Sequence, residues 1–138
     1  MPVSRSRTAA LLCALAGAAP LAAQSTAEVR FEAGSDTAAV NGAIIGDEYA
    51  NYVLGANEGQ TMSVALTVTE SNGLGTAYFN ILPPGSHGVA IYDGSMDDDG
   101  FAEVQLPESG DYTIRVYQMG NDADTGKTTR YAVSFTID

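Results

Sequence analysis

The chain has 138 residues, with 17 acidic against 6 basic side chains, a formal net charge of −11, one cysteine and one histidine. That charge repels nucleic acid and anionic membrane, so binding to either is excluded. A lone cysteine and a lone histidine exclude a disulfide framework and the usual zinc ligand sets.

Residues 1–23 read as a cleavable export signal. Arg5 and Arg7 form a basic start, Ala9 to Ala19 an apolar run, and Leu21-Ala22-Ala23 a small-residue end before Gln24. The run is too short for a stable membrane anchor. Cys13 follows Leu11-Leu12 rather than the small residue that precedes a lipidated cysteine, and no Arg-Arg pair marks the twin-arginine route. Cleavage after Ala23 leaves residues 24–138 as one domain without cysteine, two basic residues poorer, with the formal charge lowered from −11 to −13. Such a domain is soluble in the periplasm or outside the cell and folds on packing alone.

The remainder reads as short strands and turns. The predicted strands are Val29–Phe31, Thr37–Ile45, Glu48–Leu54, Thr61–Thr69, Thr76–Leu82, Gly88–Tyr92, Phe101–Leu106, Gly110–Met119 and Thr129–Ile137. Alternation is cleanest in Thr61–Thr69, where Met62, Val64, Leu66 and Val68 point inward and the threonines outward. Tyr49 and Tyr52 are packing anchors of the third strand. Tyr78 and Asn80 share one face of the fifth, with Phe79 and Ile81 on the other, and Pro83-Pro84-Gly85 ends it. No apolar period suits a helix beyond the signal. Strand spacing and frequent glycines predict an all-β fold, a single antiparallel β-sandwich of about eight or nine short strands.

Three stretches are candidates for function. In Ser109-Gly110-Asp111-Tyr112, Pro107 and Gly110 break the chain, and Tyr112, Ile114 and Val116 then share one face while Thr113, Arg115 and Tyr117 share the other. Tyr112 suits a buried corner tyrosine bonded to nearby backbone, and an exposed Ser109 suits a hydrogen-bond donor. Arg115 is either a cross-strand partner of a carboxylate or a contact. Met119 to Thr128 is a long polar loop between strands, the kind of place where binding sits on a rigid scaffold. Asp93 to Gly100 clusters carboxylates about a glycine turn. Its spacing fails the EF-hand pattern, which leaves a solvated hairpin tip, a calcium site at Asp97 and Asp99, or an acidic loop facing the cleft rim of a basic enzyme. Catalysis finds no support: a Ser-His-Asp arrangement would have to use His87, and no Gly-x-Ser-x-Gly elbow is present. The reading is a non-enzyme with no cofactor.

The segment Leu106 to Gln118, with Asn121-Asp122-Ala123, Lys127-Thr128 and Tyr131-Ala132-Val133 after it, resembles the end of the periplasmic inhibitors of animal lysozymes, the g-type inhibitors most closely. The tyrosines of Gly46 to Gln60 and the turn there also look like this family. The resemblance implies a β-sandwich that blocks the cleft of a g-type or i-type lysozyme and so protects peptidoglycan. It implies partner-binding roles for Ser109, Gly110 and Tyr112, which match a Ser-Gly-x-Tyr motif, and for Arg115, Asn121, Asp122 and Lys127 in and beside the loop. It also implies basic residues flanking Asn121-Asp122-Ala123, where this chain has Gly120 and Asp124. The partner is then a cationic glycoside hydrolase, and the protein a monomer or homodimer. A second resemblance, to pre-peptidase-like β domains, implies a non-catalytic accessory module that binds calcium or polymer.

Overall fold

The computed structural model describes residues 24–31, 33–86, 88–97 and 99–138. The leader read in residues 1–23, together with His87 and Asp98, lies outside the described residues. Among those described, the strands are β1 (Gln24–Glu28), β2 (Thr37–Ile45), β3 (Tyr49–Ala56), β4 (Thr61–Ser71), β5 (Tyr78–Leu82), β6 (Tyr92–Asp93), β7 (Phe101–Gln105), β8 (Gly110–Tyr117) and β9 (Thr128–Ile137). One turn of 3-10 helix follows β6 at Gly94–Met96, and a short helix, α1 (Gly120–Asp124), lies between β8 and β9.

Period-two patterning explains how these strands stack. β4 buries Met62, Val64 and Leu66, β8 buries Tyr112, Ile114 and Val116, and β9 buries Tyr131, Val133, Phe135 and Ile137. Each strand can satisfy that pattern only by turning one face to a second sheet. One sheet runs β1-β3-β8-β5-β6 and the other β2-β9-β4-β7, with the core between them. All pairings are antiparallel except β1 with β3. This is the all-β sandwich expected from the sequence.

A polar pair sits within the apolar core. The hydroxyls of Tyr52 and Tyr131 share a buried hydrogen bond of 2.6 Å, and their rings meet edge to face. Gly42 lies opposite Tyr131 on β2. A Cβ there would sit 2.5 Å from the Tyr131 hydroxyl and 2.7 Å from that of Tyr52, so the missing side chain is what admits the pair.

Three local expectations need correction. Pairing covers Gln24–Glu28, not Val29–Phe31; Val29 dips into the core while its N–H bonds the Val53 carbonyl at 2.8 Å. Two apolar residues in alternation mark a chain passing between the sheets, and the free edge of β3 orders the polar segment before them. The strand expected at Gly88–Tyr92 shrinks to Tyr92–Asp93, because Val89 is exposed and has no surface to bury against. The polar loop after β8 contains a helical turn, α1, too short to carry an apolar period.

Candidate functional site

β8 carries a candidate segment at each end. At its start, the Tyr112 side chain is fully buried, and its hydroxyl donates to the Glu108 carbonyl and accepts the Glu108 N–H at 3.2 Å. That bond closes the Pro107–Ser109 turn. Exposed Ser109 accepts the Glu58 N–H on Oγ at 2.8 Å, tying in the Asn57–Gln60 turn. Gly110 has φ of 146°, and a Cβ there would press on the Pro84 ring at 2.8 Å. Ser109, Gly110 and Tyr112 thus staple three turns together. Tyr112 can act on a partner only by positioning that turn, since its ring is covered.

At the other end, Gln118 is 5% exposed and bonds in three directions. Its Nε2 donates to the Lys127 carbonyl at 2.9 Å and to the Gly46 carbonyl at 3.2 Å, and its Oε1 accepts the Thr129 hydroxyl at 2.6 Å. The Asp122 carboxylate accepts the backbone N–H groups of Leu74, Gly75 and Thr76 and the Thr76 hydroxyl. Those bonds, that of Leu74 foremost, hold its carboxyl below the usual carboxylate range against the opposing pull of burial. Asp122 is therefore an anchor of the loop and is itself out of a partner's reach. Asn121 is exposed, and its carbonyl accepts from the Thr125 N–H and hydroxyl. Lys127 is half-buried and makes no ion pair among the described residues. Around this pinned loop Met119 and Ile45 are each 48% exposed and Leu74 is 75% exposed.

The outer face of the five-stranded sheet adjoins that loop. Register sets Tyr49 and Tyr78 on either side of Tyr117, making a row of three tyrosines across three strands. The next row is Asn51, Arg115 and Asn80. Arg115 lies over the Tyr49 ring, 4.3 Å from its centroid, and its Nε donates to Asn51 at 2.9 Å. The Tyr117 hydroxyl donates to Asn80 at 2.7 Å and to Asp93 at 3.3 Å, and burial raises its pKa. The reading of Arg115 as the cross-strand partner of a carboxylate is not met: it forms no ion pair among the described residues.

The two ends lie the length of β8 apart, eight residues, or roughly 25 Å. The structure therefore separates Ser109 and Gly110 from Asn121 and Lys127. Strand pairing puts Arg115 nearer the loop end. Sequence reasoning missed Gln118 and the tyrosine row. Alternation did place Tyr117 beside Arg115, but the strands that flank them are set by pairing alone.

The acidic turn has its own bonds. Asp97 accepts the Tyr92 hydroxyl at 3.2 Å and the Asp99 N–H at 3.0 Å. Burial, then the Asp97 charge, pushes the Tyr92 phenol up to about 12. Among the described residues no three His, Cys, Asp or Glu side chains converge as a metal site. No helix among them is long and apolar enough to cross a membrane.

No protein-family model matches the sequence. The chain is 33% identical over 137 residues to the inhibitor of g-type lysozyme of Escherichia coli K12, covering 99% of both. Its fold superposes on the crystal structure of PliG from Aeromonas hydrophila, a periplasmic inhibitor of g-type lysozyme, with a TM-score of 0.74 at 33% identity, over 83% of this chain and 97% of that one. The pre-peptidase C-terminal domain of a Bacillus anthracis collagenase matches at 13% identity with a TM-score of 0.55, over 82% of this chain and 94% of that one, a likeness of fold alone. A full-length relative at this identity and a matching sandwich place the chain together: it belongs to the family of inhibitors of g-type lysozyme.

Proposed function

We propose that this protein inhibits a g-type lysozyme in the periplasm, using the loop end of β8 and the sheet face beside it, without catalysis and without a cofactor. The observation that carries the choice of surface is Arg115, held over the Tyr49 ring with no carboxylate paired to it among the described residues. A glycosidase cleft is built around carboxylates, and a guanidinium is the side chain best matched to them. Around Arg115 lie the residue types that dominate protein interfaces: three tyrosines in a row, then Met119 at the loop. Gln118 and Asp122 pre-set the loop, so little ordering is left for the moment of binding.

Gly120 and Asp124 stand where the family resemblance implies basic residues, so the cations near this end are Arg115, Lys127 and Arg130. Arg130 already faces Glu70 at 4.0 Å, which leaves Arg115 and Lys127 to meet an enzyme carboxylate. The surplus of acids serves a different step. It draws a basic enzyme in from a distance and makes encounter salt-sensitive. Residues 1–23 act as the export signal in this reading.

Single substitutions test the surface. Arg115→Ala should weaken inhibition by about 30-fold or more, the scale of an interface hot spot, while the protein stays folded, its melt lowered only by the loss of the Asn51 bond and the Tyr49 contact. Ser109→Ala, at the far end, should leave inhibition within about threefold. The reverse pattern would move the contact to the Ser109 turn and reject this choice.

A further inference from the structure

β2 is the outermost strand of the four-stranded sheet and pairs on one side only, with β9, in unbroken register from Thr37 opposite Thr136 to Ile45 opposite Thr128. The direction of its backbone groups follows from the ends of the ladder. Gly46 donates to Lys127, and Ile137 donates to the Asp36 carbonyl, so even-numbered residues face β9. Odd-numbered residues then turn their N–H and C=O groups outward. At Thr37 both groups are bonded to the Ser35 hydroxyl. At Ile45 the N–H donates to the Glu48 carboxylate, and the carbonyl accepts the Glu48 N–H. The two ends of the edge are thus closed, while Ala39, Asn41 and Ala43 between them have no outward backbone partner among the described residues.

The middle of the edge also lacks the devices that normally guard one. Thr37–Ile45 carries no charge, no proline and no bulge. In a chain with 17 acidic residues, an uncharged strand of this length is where a second acidic copy meets least repulsion, with Asp36 and Asp47 only at its two ends. The sequence is also suited to a two-fold axis. Antiparallel pairing about Asn41 sets Asn41 opposite its own copy and Ala39 opposite the partner's Ala43, and every one of these pairs is of the hydrogen-bonded kind. All three side chains are exposed and small, so nothing bars the approach.

We infer that the protein self-associates through this edge, two copies joining β2 to β2 about Asn41 into one continuous sheet with about six new backbone hydrogen bonds. The inference is independent of the lysozyme reading. The ladder is short and buries less than the ~1,200 Å2 of a stable interface, so the dimer forms only at high concentration. It leaves Arg115 and the tyrosine row, on the other sheet, uncovered.

Sedimentation equilibrium of the mature protein from about 10 µM to about 1 mM tests it. The weight-average mass should climb toward twice the monomer. Asn41→Asp and Asn41→Lys should each remain monomeric, because like charges then face each other across the axis. An equal mixture of the two should recover the dimer, since opposite charges now meet. A wild-type mass that stays monomeric at the top concentration, or a mixture no heavier than its components, overturns the proposal. So does a loss of lysozyme inhibition in Asn41→Asp, which would make the enzyme, rather than a second copy, the occupant of the edge.

Discussion

Gln118→Met removes the fastening of the loop while keeping the side chain's length. The native amide makes three hydrogen bonds, to Gly46, Lys127 and Thr129, from a site that is 5% exposed. At about 1 kcal/mol net for each bond, the loss is about 3 kcal/mol. Two of the partners keep an alternative: the Lys127 carbonyl still accepts the Gly46 N–H at 2.9 Å, and the Thr129 hydroxyl still has Ser71 at 3.1 Å. Only the Gly46 carbonyl loses its partner outright, which holds the cost to about 2–3 kcal/mol. For a domain of this size that lowers the melting midpoint by ~10 °C. Urea melts should show a lower midpoint with the slope unchanged, and lysozyme inhibition should weaken along with it, because the Lys127 end of the loop is no longer tied to Gly46 through Gln118. A loss below about 0.5 kcal/mol would refute the claim that Gln118 fastens this end of the sandwich.

Asp122 sets a pH dependence. Its folded pKa lies below the unfolded carboxylate value, so its contribution is complete above about pH 4 and is lost as pH falls through the lower folded value. Asp122→Asn should therefore flatten the fall in urea midpoint on acidification, and a wild-type and variant falling in parallel would contradict it. Gly42→Ala should cost about 1–3 kcal/mol, since its methyl meets two buried phenols; an unchanged melt would mean that Tyr52 and Tyr131 can part freely.

The sandwich was legible where one face of a strand is buried and the other is not. Thr61–Ser71 and Gly110–Tyr117 announce themselves by alternation, and the bounds read for Thr37–Ile45 match the strand found. β1 was not legible, because Gln24–Glu28 is polar and ordered only by the free edge of β3. The site was legible in part. Alternation and the corner motif already turn Tyr112 inward, as the structure has it, but the sequence does not say that Asp122 faces inward. A buried polar anchor in a polar loop has no period and no composition to mark it; only the partners brought in by the fold reveal the role, Leu74 to Thr76 for Asp122 and Gly46, Lys127 and Thr129 for Gln118. The distance between Ser109 and Asn121 follows once β8 is recognised as an unbroken strand, since a straight strand holds its two ends apart.

Lysis of peptidoglycan by a purified g-type lysozyme, with the mature protein titrated in at low and at physiological salt, tests the central claim most directly. Inhibition near equimolar ratios, weakened by salt and largely abolished by Arg115→Ala, is the expected result. Lysis that continues unchanged under a large excess of the folded protein would contradict the proposed function, even though the family membership and the sandwich would remain.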